Sequence, residues 1–183
     1  MSVYIETERL ILRDWEDEDL LPLQQMNANR QVRRYFTSLL SYQRSKLDFE
    51  AMQRTLKKHG IGLFAVELKA THQWIGFIGL NYLTKESPYP FDELPFYEIG
   101  WRLLPEVWNN GLAQEGAKAV LKYVEKMDLG PIYAIAAKNN TASIRVMQKI
   151  GMTFVDYFDK PELSQFNELK ENVRYVWTPQ QSA

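Results

Sequence analysis

Residues 103–127 read LLPEVWNNGLAQEGAKAVLKYVEKM, and this stretch decides how the rest of the chain is read. The turn Trp108-Asn109-Asn110-Gly111 breaks a preceding strand and opens a helix. From Leu112 onward, Ala113, Gly116, Ala117, Val120, Val124 and Met127 recur at helical spacing, while Gln114, Glu115, Lys118, Lys122 and Glu125 fall on the other side. That is a helix with one face against a core. Its first N–H groups lack partners within the helix and carry partial positive charge. Asn109, Asn110 and Gly111 tolerate positive φ, so the backbone can curl until successive N–H groups converge. Such a concavity binds phosphate oxygens without a cationic side chain. The plainer reading is a strand-to-helix loop with a turn glycine, and the surrounding sequence has to choose between them.

The chain has 183 residues, 45% hydrophobic and 25% charged, enough for one domain spanning 1–183 with a substantial core. The formal net charge of −1 gives no basic field, so nucleic acid is not an expected partner. The absence of cysteine excludes disulfides, thiolate metal sites and a cysteine nucleophile. The two histidines, His59 and His72, form no metal-binding pattern, so no metal is expected. No apolar run is long enough for a bilayer, and MSVYIETERL has no signal-peptide core. The expectation is a soluble cytoplasmic protein with no membrane partner.

In order, Thr7–Trp15 reads as a strand, and Asp17-Glu18-Asp19 starts a helix that fades near Asn29. Ser41 caps a longer helix that Gly60 stops after His59. Residues 62–69 and 74–83 form a hairpin across Ala70-Thr71-His72-Gln73. Residues 84–95 make a 12-residue loop of the length that often serves as a lid. Strands follow at 96–104 and 132–137, on either side of the opening helix, and that unit should bring the two together in parallel. A helix over 141–150, strands at 152–158 and 173–178 around a polar segment, and a mobile tail PQQSA complete the chain. The order predicts one α/β (α+β) domain: about four helices and a mixed, mostly antiparallel sheet of 6–7 strands.

Four motifs stand in register: ETERLILR at 6–13, EIGW at 98–101, LPEVWNNGLAQE at 104–115 and NTASIRVMQKIGM at 140–152. With FDELPF at 91–96 and FDKP at 158–161, they make the chain resemble the GNAT superfamily of N-acetyltransferases. The resemblance is closest to the branch containing the ribosomal-protein N-terminal (alanine/serine) acetyltransferases. It implies acetyl-CoA as donor and a sheet splayed between the fourth and fifth strands. The pyrophosphate would rest on backbone N–H groups from Asn109, Asn110, Gly111, Leu112, Ala113 and Gln114. Main-chain groups of Ile99, Gly100 and Trp101 would hold the pantetheine arm as an added strand does. Asn140 matches the family residue that hydrogen-bonds that arm. The turn departs from the family by carrying Trp108 at its start, and no Lys or Arg lies among residues 109–111.

Acetyl transfer needs a neutral amine, a donor for the oxyanion and a proton or hydrogen bond for the departing thiolate. Glu98 is the candidate base, directly or through water. Alternation places it with Phe96, Gly100 and Arg102, so it either faces the cleft or pairs with Arg102 as a structural carboxylate. Ser143 is the candidate for the thiolate and for donor contact, because Met147 stands where many relatives carry a tyrosine acid. Tyr35, Phe36 and Tyr42, with the 84–95 and 156–166 loops, are candidates to wall the acceptor pocket. Neutralising an α-amine at pH 7 costs about 1 kcal/mol, against roughly 4–5 for lysine, which slightly favours a protein N-terminus or a small-molecule amine as acceptor. The alternative is a non-catalytic CoA-binding sensor or interaction module on the same fold, which Met147 would suit. Monomer and homodimer both remain open.

Overall fold

Local signals place most of the elements. Ser41 accepts a hydrogen bond from the Arg44 N–H at the head of the long second helix, and Gly60, at φ +67°, ends it in the left-handed conformation. The computed structural model describes residues 1–163 and 167–179. The elements are β1 (Val3–Glu6), β2 (Leu10–Arg13), α1 (Leu20–Asn27), α2 (Tyr42–His59), β3 (Leu63–Leu68), β4 (Trp74–Leu83), β5 (Phe96–Leu103), α3 (Leu112–Val124), β6 (Ile132–Ala137), α4 (Thr141–Lys149), β7 (Thr153–Asp159), α5 (Asn167–Lys170) and β8 (Glu171–Trp177). Short 3-10 turns lie at Asp17–Asp19, Pro105–Val107 and Pro161–Leu163.

Among the described residues the strands form one sheet of eight, in the order β1-β2-β3-β4-β5-β6-β8-β7. Every pairing is antiparallel except β5 with β6, which is parallel. This is the expected mixed α/β architecture with one strand more. The segment expected as a single strand over 7–15 is half of a hairpin. Val3–Glu6 pairs back onto Leu10–Arg13, and Thr7 Oγ1 accepts from the Leu10 N–H at 2.9 Å to fix the turn.

Two further expectations are corrected. Met127 does not continue the buried face of α3, which ends at Val124 and leaves Met127 exposed. Asp128 (φ +51°) and Gly130 (φ +73°) turn the chain from there into β6. Glu115 does not lie on a solvent face either, because a residue more than 100 positions away draws it inward, as described below. The polar segment 159–172 contains the short α5 and one 3-10 turn. The last four residues of the PQQSA tail, and residues 164–166 of the second candidate wall loop, lie outside the described residues.

Opposite partners in an antiparallel pair share a face. Ile78–Trp101 and Leu80–Ile99 thus present one face of β4–β5 to α3. Phe77–Arg102, Gly79–Gly100 and Asn81–Glu98 present the other face, over which α1 and α2 pack. The main core fills both layers, with Leu10, Leu12, Phe64, Ile78 and Val120 shut off from solvent. A satellite cluster of Phe91, Leu94 and Phe96, backed by Tyr133 and Phe158, lies under the 84–95 loop.

Gly116 sets how closely α3 approaches the sheet. A Cβ there would fall 2.4 Å from Ile78 Cδ1 and 3.3 Å from Leu10 Cδ1. Gly116→Val is expected to lift the helix and to lower stability by about 1–3 kcal/mol in urea denaturation, as overpacking does. An unchanged midpoint would refute this account of the packing.

Candidate active site

β5 and β6 pair at two positions only, Tyr97 with Ile132 and Glu98 with Tyr133. Beyond Glu98 the strands part. On that side the main-chain groups of Ile99, Gly100 and Trp101 find no strand partner among the described residues, while on the other side they remain paired with β4. The side chains of Ile99 and Trp101 pack into the main core, so only their backbone is presented to the gap. A Cβ on Gly100 would meet nothing within 4 Å, so the opposite face is open there. The gap widens toward the C-terminal ends of two parallel strands, where open sheets bind ligands.

At that end the chain turns through Trp108–Gly111 into α3. Trp108 Nε1 donates to the Leu103 carbonyl (2.8 Å), and Asn110 Nδ2 donates to the carbonyls of Val107 and Trp108 (3.2 and 3.0 Å). Asn109 (φ +61°) and Gly111 (φ +74°) both take the left-handed conformation. The first intrahelical bond runs from the Glu115 N–H to the Gly111 carbonyl, and no side chain caps the helix start. The N–H groups of Leu112, Ala113 and Gln114 are therefore left to a ligand or to solvent.

A cationic side chain that the motif did not reveal braces this turn. Arg9 Nη1 donates to the Asn110 carbonyl (2.9 Å), and Arg9 Nε donates to Glu115 Oε2 (2.7 Å). The Arg9 N–H and the Thr7 hydroxyl donate to Glu115 Oε1 (2.9 and 2.6 Å). Burial would raise the Glu115 carboxyl, but these bonds from Thr7 and Arg9 hold it below the usual carboxylate range. ETER at 6–9 carries the signal, yet nothing local to it says that it reaches α3.

At the start of α4, Asn140 Oδ1 accepts from the Ser143 N–H (3.2 Å). Its oxygen is spent as a helix cap, so its amide N–H groups are what remain for a ligand. The Ser143 side chain is half-buried and its hydroxyl makes no hydrogen bond among the described residues. Met147 is 1% exposed and part of the core. Tyr35 does reach this end, its hydroxyl donating to the Asn139 carbonyl (3.3 Å). Tyr157 instead packs on Phe154, with Lys138 over its ring. Tyr42 is half exposed at the head of α2.

Glu98 faces the α1–α2 side and not α3. The pairing with Arg102 does not occur: Arg102 Nη1 donates to Asn27 Oδ1 (2.9 Å) instead. Glu98 makes no ion pair among the described residues. Its carboxyl sits deep among neighbouring atoms while the residue keeps some solvent contact. Burial pushes its pKa up to about 7, and Lys160 works against that rise. Glu98 in turn acts on Tyr89, whose hydroxyl burial also raises. Tyr89 stacks on Phe91 at 5.5 Å and Lys160 lies over its ring at 5.4 Å. The 84–95 loop thus covers the approach to Glu98, anchored where Glu93 and Asp156 both engage the buried Arg174. Among the described residues, no group of three ligating side chains could hold a metal, and no helix is long and apolar enough to cross a membrane.

Residues 9–153 match the acetyltransferase (GNAT) domain family. An uncharacterized N-acetyltransferase of Bacillus subtilis, YnaD, is 30% identical over 159 residues, covering 86% of this chain and 87% of the relative. The acetyltransferase (GNAT family) from Bacillus anthracis superposes with a TM-score of 0.78 at 27% identity, covering 97% of this chain and 99% of that one. RimL, a ribosomal L7/L12 alpha-N-protein acetyltransferase in complex with coenzyme A, shares the fold at 12% identity, with a TM-score of 0.76 and 97% and 98% coverage.

The raised Glu98 pKa has a consequence for stability. The folded carboxyl holds its proton to about pH 7, whereas an unfolded one releases it near 4.5. Between those values the folded state binds more protons, so stability falls as pH rises. Glu98→Gln is expected to flatten that decline and to be the more stable protein at about pH 8 by urea denaturation. Parallel stability curves for the two proteins would show that burial does not perturb this carboxyl.

Proposed function

The chain belongs to the GNAT acetyltransferase family, and on that premise we propose which of its residues carry the transfer. The protein is an acetyl-CoA-dependent N-acetyltransferase that moves the acetyl group directly to a primary amine. Acetyl-CoA supplies the activated acyl group, so no protein nucleophile is needed, in keeping with the absence of cysteine.

One observation carries the assignment. An uncapped helix start, curled by two left-handed residues, stands at the open end of two parted strands. The N–H groups of Leu112, Ala113 and Gln114 bind the pyrophosphate, within the turn set by Asn109, Asn110 and Gly111. The helix dipole adds a favourable field there. Arg9 keeps the Asn110 carbonyl turned away from the anion by hydrogen-bonding it. The unpaired main chain of Ile99, Gly100 and Trp101 offers strand-like hydrogen bonds to the pantetheine arm, and Asn140 donates to the same arm from the far side of the gap.

Glu98 lies where β5 and β6 separate, on the face turned away from α3. The acceptor enters from that face, between α1–α2 and the 84–95 loop. A carboxylate with a pKa near 7 is matched to taking a proton from an α-amine at neutral pH, directly or through water. Ser143, its hydroxyl uncommitted, donates to the departing sulfur. The acceptor is a protein N-terminus or a small-molecule amine. The family match and a relative named as an N-acetyltransferase favour catalysis over a non-catalytic sensor.

Gly111→Pro forces φ to about −65° where the turn needs a positive value. It is expected to abolish CoA binding in calorimetry while far-UV circular dichroism keeps its native form, and unchanged CoA affinity would refute the pyrophosphate site. For Glu98→Gln, kcat should fall by about 10²–10⁴. The wild-type rise of kcat/KM through an ionisation near pH 7 should vanish with it. A variant retaining both rate and pH profile would remove Glu98 from the chemistry.

A further inference from the structure

Between α1, α2 and the β3–β5 face lies a cavity of about 320 Å³, within the size range of small-molecule sites. Leu23, Met52, Leu63 and Phe77 give it apolar walls. Its polar residues are Asn27, Asn81, Asp48 and Arg102. Asn81, one of the lining residues, stands directly opposite Glu98 in the β4–β5 pairing, which puts the candidate base beside the cavity wall. Arg102 is four residues further along the same face of β5, and only the bare backbone of Gly100 lies between them.

Arg102 is a charge with no counter-ion in direct contact among the described residues, although the Asp48 carboxylate on the cavity wall acts favourably on it. Its one hydrogen bond to the protein goes to the neutral Asn27 Oδ1. It makes no ion pair among the described residues, and none of its remaining donors is sealed from solvent. Asp48 shares the cavity wall but is engaged by Arg44 at 3.0 Å. A second guanidinium lies close by. Arg33 donates through Nε to the Ser38 carbonyl (2.6 Å), and both guanidiniums lie over the Phe36 ring, 4.3 and 4.7 Å from its centroid. Phe77 takes Arg102 on a further face at 5.1 Å. Burial lowers both pKa values, that of Arg102 to about 10, and the charge of Arg33 adds to the effect. Buried charges are ordinarily paired. Here aromatic rings hold the buried Arg33 and the half-buried Arg102 in place, and the fork of Arg102 lines the cavity. A planar oxyanion matches that fork in shape and charge.

We propose that the acceptor carries a carboxylate or similar oxyanion that Arg102 binds in this cavity, with its primary amine directed past Asn81 to Glu98. Arg33 reinforces the field from behind Phe36. The substrate class is an amine with an anionic group and an apolar body between them. Two sources share that chemistry: a free ω-amino acid, or a peptide N-terminus followed by an acidic side chain. The inference rests on acetyl transfer at Glu98, and it makes Arg102 the residue that sets specificity.

The test compares matched acceptors that differ only in the anion. 6-Aminohexanoate is set against hexylamine, and Ala-Asp-amide against Ala-Asn-amide, with thiol release and, separately, calorimetric binding to the CoA-loaded protein. The wild type should prefer an anionic member by about 30-fold or more in kcat/KM. Arg102→Gln should erase that preference, chiefly through KM, while CoA affinity and the rate on the neutral partner stay within about threefold. Arg102→Lys should restore part of it, which a merely structural role would not do. The aminohexanoate arm responding alone identifies a free ω-amino acid, and the peptide arm alone identifies an N-terminus. Equal binding of anionic and neutral members by the wild type, or an undiminished preference in Arg102→Gln, overturns the proposal. Anion-dependent binding without turnover of any acceptor supports the pocket and counts instead against the transfer chemistry.

Discussion

Two backbone pairings hold β5 to β6, and past Tyr97 and Glu98 the strands separate. Leaving main-chain groups unpaired costs about 1–3 kcal/mol each when they are also dry. A sheet therefore stays open only where water or a ligand reaches the exposed groups. The rest of the molecule is arranged around that opening. On the β4 side, β5 is paired along its whole length, so it cannot swing across the gap. On the other side β6 is held by six residues of β8. The helices that follow the parted strands, α3 and α4, both begin at the wide end. The separation of two strands thus brings two helix starts to one place.

The side turned away from α3 does separate work. There Arg174, buried beneath the 84–95 loop, donates to the carboxylates of Glu93 and Asp156 and lies 4.0 Å from the centre of the Phe91 ring. One side chain thereby ties the loop to β7 and β8. Phe91 and Phe96 close the satellite core beneath it. Tyr89 rides on that layer, so a loop rich in proline and aromatics keeps a defined surface beside Glu98. The Glu98 environment is correspondingly apolar, which is why its proton is held so firmly. Arg102, on the same face, lies over the Phe36 and Phe77 rings and hydrogen-bonds Asn27.

Much of this was legible in the sequence because it is local. The Ser41 cap, the Gly60 stop, the Asn109–Gly111 turn and the β-strand periodicities depend on neighbours a few residues away. The parallel pairing of β5 and β6 follows from a strand, a helix and a strand in succession. What escaped the pattern depends on distance along the chain. Val3–Glu6 is too short to announce itself and becomes a strand only by folding back on β2. Glu115 occupies a polar position on its helix, and nothing near it foretells Thr7 and Arg9. Alternation placed Glu98 and Arg102 on one face, which suggested a pair. Which of them would be dry, and that Arg102 would instead find Asn27, Phe36 and Phe77, depends on how α1 and the 30–40 segment lie over the sheet.

The clasp between Arg9 and Glu115 also bears on how the molecule is made. Its partners are 106 residues apart. At ribosomal speeds of about 5–20 residues per second, Arg9 is synthesised roughly 5–20 s before Glu115. Until β3 follows, β1 and β2 form a lone two-stranded ribbon, which is marginal in water, and α3 comes later still. The nascent chain therefore closes this clasp only by recapturing a much earlier hairpin. Synthesis order and site assembly are coupled through one guanidinium.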